Sequence, residues 1–280
     1  LTFEGDWKDD FPHGAGCGLF QTGHLTFDGS WAESEPDGAG SARNDATGFV
    51  FDGTFARGFA VGHGVLTAPG GNRYVGEFQS GLPHGRGQLI KVSGERFDGL
   101  WRSGQRHGQG LAVYTSRDSH SAAKEYDGEF RCNAWHGQGV VVYRDGSTYQ
   151  GELWEGKRHG WGLCHGPDGD TYDGNWADDV RQGYGTVFRQ DGSSLDGDWA
   201  DDRLKRTFNK LTSKRVERTG IVIGTCAAGE QGEFCVDLPV SVAKRSGGGG
   251  RSVPASPGRS KRGGGGGAGG YLTATGFAVT

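Results

Sequence analysis

Along most of the chain, aromatic residues and glycines keep a fixed phase. A ring, one residue, a glycine, one residue and a second ring recur from Phe3, Phe27, Phe51, Tyr74, Phe97, Tyr126, Tyr149 and Tyr172, and in degenerate form from Leu195. The starts lie 24, 24, 23, 23, 29, 23, 23 and 23 residues apart, the signature of an internal repeat. Taking each start as offset 0, glycine fills offset 2 from Gly5 to Gly197, and offset 4 is aromatic in every unit but that of Leu153. Alternation along a strand puts offsets 0, 2 and 4 on one face, two rings with a glycine slot between them. Offset 7 is Gly, Asn or Asp, with Ser34 the exception, and these residues tolerate the positive φ of a tight turn. Offsets 10 to 17, as in residues 136–143, predict a second strand, and a later glycine such as Gly146 or Gly169 turns the chain into the next unit.

The expected fold is therefore all-β, an elongated single-layer antiparallel sheet of successive β-hairpin repeats. Its ring positions are represented by Tyr74, Phe78, Phe97, Trp101, Tyr126, Phe130, Tyr149, Tyr172 and Trp176. Offsets 11 and 13 are glycine in all eight complete units, as at Gly85 and Gly87. Both are expected to be sockets in which neighbouring rings lie against bare backbone, which would explain glycines that otherwise weaken a strand. Stability should then come from contacts between adjacent units. A one-layer sheet is also expected to leave its aromatic face uncovered unless it curls strongly, and exposed apolar area of that extent marks an interaction surface.

The pattern resembles the MORN repeat family, whose units read roughly Y-x-G-x-W-x-x-G-x-x-H-G-x-G. The resemblance covers about residues 1–200. Departures are the absence of histidine at Asp37, Val61 and Gln182, an insertion near residues 115–124, and the decay of the unit at Leu195. It implies a noncatalytic scaffold for protein partners, cytoplasmic and associated with cytoskeleton or membrane. The alternatives it leaves open are a regulatory module of a larger enzyme, a phosphatidylinositol phosphate kinase or a SET-type methyltransferase, and a phosphoinositide-binding module.

Several apparent chemical motifs dissolve in the repeat register. Residues 151–158 approach a phosphate loop, but Arg158 stands at the hydroxyl position and Lys157 falls in a hairpin turn rather than at a helix start. His13, His84, His107, His136 and His159 share offset 10, yet equivalent residues lie two strands apart, about 9.5 Å, too far to share one ion. No nucleophile elbow or paired zinc-binding histidine motif occurs, and Asp9, Asp10, Asp178, Asp179, Asp201 and Asp202 read as solvated turn residues. No catalytic residue, cofactor or metal is assigned. Cys17, Cys132, Cys164, Cys226 and Cys235 form no C-x-x-C pair and are expected to be free thiols in a reducing compartment.

Charge divides the chain. Residues 205–280 hold twelve Lys and Arg against four Asp and Glu, so the net −4 separates into −12 before Lys205 and +8 from there on. The expected organisation is an array over residues 1–204, a basic linker over 205–219, and a β-rich, glycine-interrupted, partly disordered segment over 220–280. Within the last, residues 224–238 resemble the opening strands of a filamin-type immunoglobulin-like repeat. An array at −12 should be repelled by anionic lipid, although Arg86, Arg102 and Arg106 form a local basic group. The basic stretch lacks the aromatic interleaving of a nucleic-acid surface, so no nucleic-acid partner is expected. No apolar run reaches membrane-spanning length, and the lack of methionine, even at position 1, suggests a fragment of a longer protein. Trp135, Trp154 and Trp161 lie off the repeat's ring positions and form the candidate partner-binding patch, Trp154 and Trp161 on the face opposite the rings. A homodimer is left open.

Overall fold

The computed structural model describes residues 1–20, 24–115 and 122–209. The 116–121 part of the insertion, most of the basic linker and the whole of the 220–280 segment lie outside them. Eighteen strands follow in order: β1 (Thr2–Lys8), β2 (Phe11–Leu19), β3 (Leu25–Ala32), β4 (Glu35–Asn44), β5 (Phe49–Ala56), β6 (Phe59–Thr67), β7 (Arg73–Gln79), β8 (Leu82–Ile90) and β9 (Arg96–Arg102). The second half comprises β10 (Gln105–Val113), β11 (Ala123–Arg131), β12 (Ala134–Tyr143), β13 (Thr148–Trp154), β14 (Lys157–His165), β15 (Thr171–Ala177), β16 (Val180–Phe188), β17 (Ser194–Ala200) and β18 (Arg203–Asn209). Each strand pairs antiparallel with its sequence neighbours, giving one meandering sheet. There is no helix among the described residues. The unit at Leu195 closes its own hairpin, and β18 carries the sheet past Leu204 to Asn209.

The turns within units are tighter than the offset-7 residues alone imply. Offset 6 also takes positive φ: Arg57 48° beside Gly58 75°, Cys132 50° beside Asn133 70°, Asp178 50° beside Asp179 72°. Two successive left-handed residues define a two-residue type I′ hairpin, whose twist matches that of the flanking strands. Ser34, the exception by composition, adopts φ 70° after Glu33 at 50° and makes the same turn.

The two strand glycines have different roles. At offset 13 glycine faces the offset-2 glycine across the hairpin, as Gly64 does Gly53 and Gly110 does Gly99. The offset-0 ring lies over that pair: a Cβ on Gly64 would stand 2.5 Å from Phe51 Cζ, and one on Gly110 2.5 Å from Phe97 Cζ. At offset 11, by contrast, Gly62 has φ 63° and nothing within 4 Å of a Cβ position. Register slips at this point, between Gly53 and Thr54 in that hairpin, so the residue supplies the backbone of a bulge. The expectation that both offsets are ring sockets is thus corrected: offset 13 is a socket, and offset 11 is glycine for its φ.

The aromatic face is not an uncovered surface either. Phe27, Trp31, Phe51, Phe55, Tyr74, Phe78, Phe97, Trp101, Tyr126, Phe130, Tyr149, Leu153, Tyr172, Trp176 and Trp199 are all buried. Except beside Leu153, each offset-0 ring meets the offset-4 ring of its own unit and of the next edge to face, as Phe51 does Phe55 at 5.2 Å and Phe78 at 4.7 Å, and Tyr74 does Phe78 and Trp101. Offset 15 adds Ala42, Leu66, Ala112, Val141 and Val187 to the same core. Polar tips find backbone: Tyr74, Tyr126 and Tyr149 hydroxyls donate to the carbonyls of Glu77, Glu129 and Glu152, and Trp101 and Trp176 Nε1 to Gly87 and Gly162. The sheet therefore carries its core on one face, built from side chains of adjacent strands.

Candidate binding surface

Offset 9 roofs the rings, and its identity follows that of offset 7 in the next unit. Arg106, Arg158 and Arg181 place guanidinium groups over rings, Arg158 4.1 Å from the Trp176 centroid and Arg181 4.3 Å from that of Trp199. Each is held by an Asn or Asp side chain and carbonyl: Arg158 N and Nε donate to Asp179 Oδ1 at 3.0 and 3.1 Å and Nη2 to its carbonyl at 2.7 Å. Arg181 repeats the clamp with Asp202 and Arg106 with Asn133. Pro12, Pro36 and Pro83 occupy offset 9 elsewhere, with Ser34, Gly58 and Gly104 as partners. Proline has no N–H to satisfy, so the carboxylate or amide is not required there. Arg106, one of three residues of the local basic group, is consumed by this internal clamp.

Two units depart from the rule: in one, the buried Ala60 holds offset 9 with Gly81 as its partner, and the other is the unit of Trp135. Trp135 holds offset 9 and stacks on Tyr126 at 4.7 Å, its Nε1 donating to the Tyr114 hydroxyl at 2.9 Å, while Leu153 replaces the ring that should follow. The displaced aromatic thus comes from another position, and a recess of about 400 Å³ opens beside Leu153, lined also by Tyr143, Arg158 and Cys164. Burial pushes the Tyr143 phenol up to about 12 and raises the Cys164 thiol, which disfavours the thiolate that nucleophilic chemistry needs. Among the described residues no three His, Cys, Asp or Glu side chains converge as a metal site would require. Residues 151–158 run from β13 through the Glu155–Gly156 turn into β14, with no helix start to receive a phosphate.

The candidate tryptophans separate accordingly. Trp135 belongs to the core face, half-buried against it. Trp154 and Trp161 stand on the opposite face, 50% and 45% exposed, and they are not in ring contact with each other. Trp154 lies against the His136 ring at 4.5 Å. Trp161 instead begins a ladder: its ring parallels that of Tyr184 at 6.5 Å, and Tyr184 meets Phe208 at 6.3 Å, both partners also exposed. The sequence held a signal for the second rung, because Tyr184 follows Trp161 by one repeat length of 23 residues. From β11 to β17 the mid-strand residues of this outer face include Asp127, Glu129, Glu152, Asp173, Asp196 and Asp198, while Arg131 ends β11 at the offset that Trp154 holds in β13. The arrangement offers ring faces set among carboxylates, a surface suited to recognition.

Comparison with known proteins gives one family match. The MORN repeat profile fits residues 3–24, 51–73, 74–96, 97–119, 126–148, 149–171 and 172–194. No curated protein matches the chain. Among solved structures, the chain is similar to a point mutant of the TCP10 domain of Danio rerio CPAP, at 12% identity and TM-score 0.38, over 72% of this chain and 97% of that one. The wild-type domain with a Danio rerio STIL peptide gives 12% and 0.31, over 72% and 96%. The Drosophila melanogaster SAS-4 (dCPAP) TCP domain with a proline-rich motif of Ana2 (dSTIL) gives 12% and 0.31, over 49% and 72%.

Proposed function

The chain belongs to the MORN repeat family, and from that premise we propose that it is a noncatalytic protein-interaction scaffold whose contact surface is the outer face of β12 to β18. The observation that carries this reading is the group of exposed rings, Trp154, Trp161, Tyr184 and Phe208, on the face of the sheet that holds no core. Tryptophan and tyrosine are enriched where partner binding energy concentrates. Family membership supports a cytoplasmic setting beside cytoskeleton or membrane. Direct lipid binding is disfavoured by the net −12 before Lys205 and by the internal use of Arg106.

The test is partner capture from lysate with the wild-type chain and a Trp154→Ala/Trp161→Ala variant. Both side chains are about half exposed and outside the core, so the variant should keep its far-UV circular dichroism and lose at least about tenfold of the captured protein. Unchanged capture by a folded variant would refute the assignment of this face.

A further inference from the structure

The outer-face ladder also points to the chemistry of its partner, on the premise that this face is the contact surface. On the core face the same fold solves the problem of a ring beside a carboxylate in one way: Arg158 stacks over Trp176 and is held by Asp179, and Arg181 stacks over Trp199 and is held by Asp202. The last rung of the outer ladder carries a cation as well, Arg206 5.3 Å over Phe208, although its guanidinium forms no ion pair with Asp198, the residue opposite it in the strand register. The two preceding rungs have rings and acids without the cation. Trp161 lies opposite Asn175, beside Gly160, over which the Glu152 carboxylate sits. Tyr184 lies opposite Asp198, two pairs from Asp196, which accepts a hydrogen bond from Thr186.

We propose that the Trp161–Tyr184 surface binds an arginine-bearing segment of a protein partner, guanidinium planes lying on the two rings and hydrogen-bonding to Glu152 and Asp198. Arginine fits better than lysine because its planar, weakly hydrated head stacks on a ring while its N–H fork faces a carboxylate; a lysine ammonium is compact and strongly hydrated. The acidic mid-strand positions from β11 to β17 extend the same preference along the partner and disfavour acidic segments.

Fluorescence anisotropy of the full chain with three labelled peptides of equal length, alternating serine with arginine, lysine or glutamate, tests this. The arginine peptide should bind at least about fivefold tighter than the lysine peptide at near-physiological salt, and the glutamate peptide should not bind. Trp161→Ala and Tyr184→Ala should each weaken the arginine peptide about five- to tenfold, Trp161→Phe should restore most of it, and Leu100→Ala, on the same face at β9, should change nothing. Equal affinity for the arginine and lysine peptides, or alanine variants that bind like wild type, would overturn the proposal. Competition separates the two readings. If lysate capture depends on Trp154 and Trp161 yet is not displaced by the arginine peptide, this inference fails and the scaffold surface stands; if capture ignores those tryptophans, the surface assignment fails with it.

Discussion

Gly62 and Gly64 stand two residues apart in β6, and alanine at each should destabilise for a different reason. At Gly64 the new methyl would lie 2.5 Å from Cζ and 2.6 Å from Cε2 of Phe51, against a carbon–carbon optimum of about 3.5–4.0 Å. Phe51 is fully buried and cannot withdraw without opening its edge-to-face contacts with Phe55 and Phe78. Overpacking of this kind costs about 1–3 kcal/mol, and disturbing two ring contacts adds about 0.5–1.5 kcal/mol each, so a loss near 3–4 kcal/mol is expected. At Gly62 there is open space and the penalty is the left-handed φ alone, about 1–2 kcal/mol, less for Asn. A double-mutant cycle sharpens the test: in a Phe51→Leu background the obstacle is gone, and Gly64→Ala should cost at least about 2 kcal/mol less than in the wild type. Urea unfolding read by far-UV circular dichroism measures this if the slopes agree, with hydrogen exchange of the β5 and β6 amides as a local check on an array that can open unit by unit. Equal losses at Gly62 and Gly64, or a Gly64→Ala cost indifferent to Phe51→Leu, would refute the socket argument.

Burial raises Tyr126, Tyr149 and Tyr172 above the phenol value of 10.0, Tyr172 to about 12. The folded state thus holds its protons more tightly than the unfolded one, so this stability is complete below pH 10 and is lost as pH climbs from 10 towards 12; thermal melts across that window, with phenolate absorbance, should show it, and a flat profile would contradict it. Arg181→Lys removes the stacked fork over Trp199 and should cost about 1–2 kcal/mol in urea unfolding, whereas Lys157→Ala, at an exposed ion pair with Asp178, should change stability by less than about 0.5 kcal/mol. Trp135→Arg alone should destabilise by opening the core over Tyr126, and adding Leu153→Trp with Gly156→Asp, which rebuilds the clamp of the neighbouring units, should recover most of the loss; failure to recover would mean that offsets 9, 4 and 7 are not one packing unit.

The register, the hairpins and the ring rows were legible in the sequence because each reflects a fixed spacing, and spacing survives in one dimension. Composition misled where one residue type serves two ends: Gly62 and Gly64 look alike, and only the backbone separates the bulge from the socket. The offset-6 half of each turn was hidden because Glu33, Arg57 and Cys132 are not residues usually chosen for positive φ; a two-residue turn between paired strands imposes it on them. The aromatic face looked uncovered because the roof is supplied by unlike residues, Pro36, Arg158 and Trp135, whose shared position shows only after alignment. Alternation was enough to place Trp154 and Trp161 opposite the rings. Trp135 escaped that reasoning because the bulge at Gly137 breaks the alternation on which parity depends. The ladder from Trp161 through Tyr184 to Phe208 went unseen, since Phe208 joins it only through the irregular pairing of β17 with β18.

Among the described residues each strand pairs only with its sequence neighbours, and this also sets how the sheet responds to load. Pulled apart at its two ends, such a sheet has no strand clamped by a distant partner, so hairpins should peel from a terminus one after another like the teeth of a zipper. Each 23-residue unit would release roughly 70 Å, its extended length at about 3.4 Å per residue less the ~9.5 Å that two strands occupied. The interface at Leu153, where a ring is missing, is the place where the peeling should run fastest.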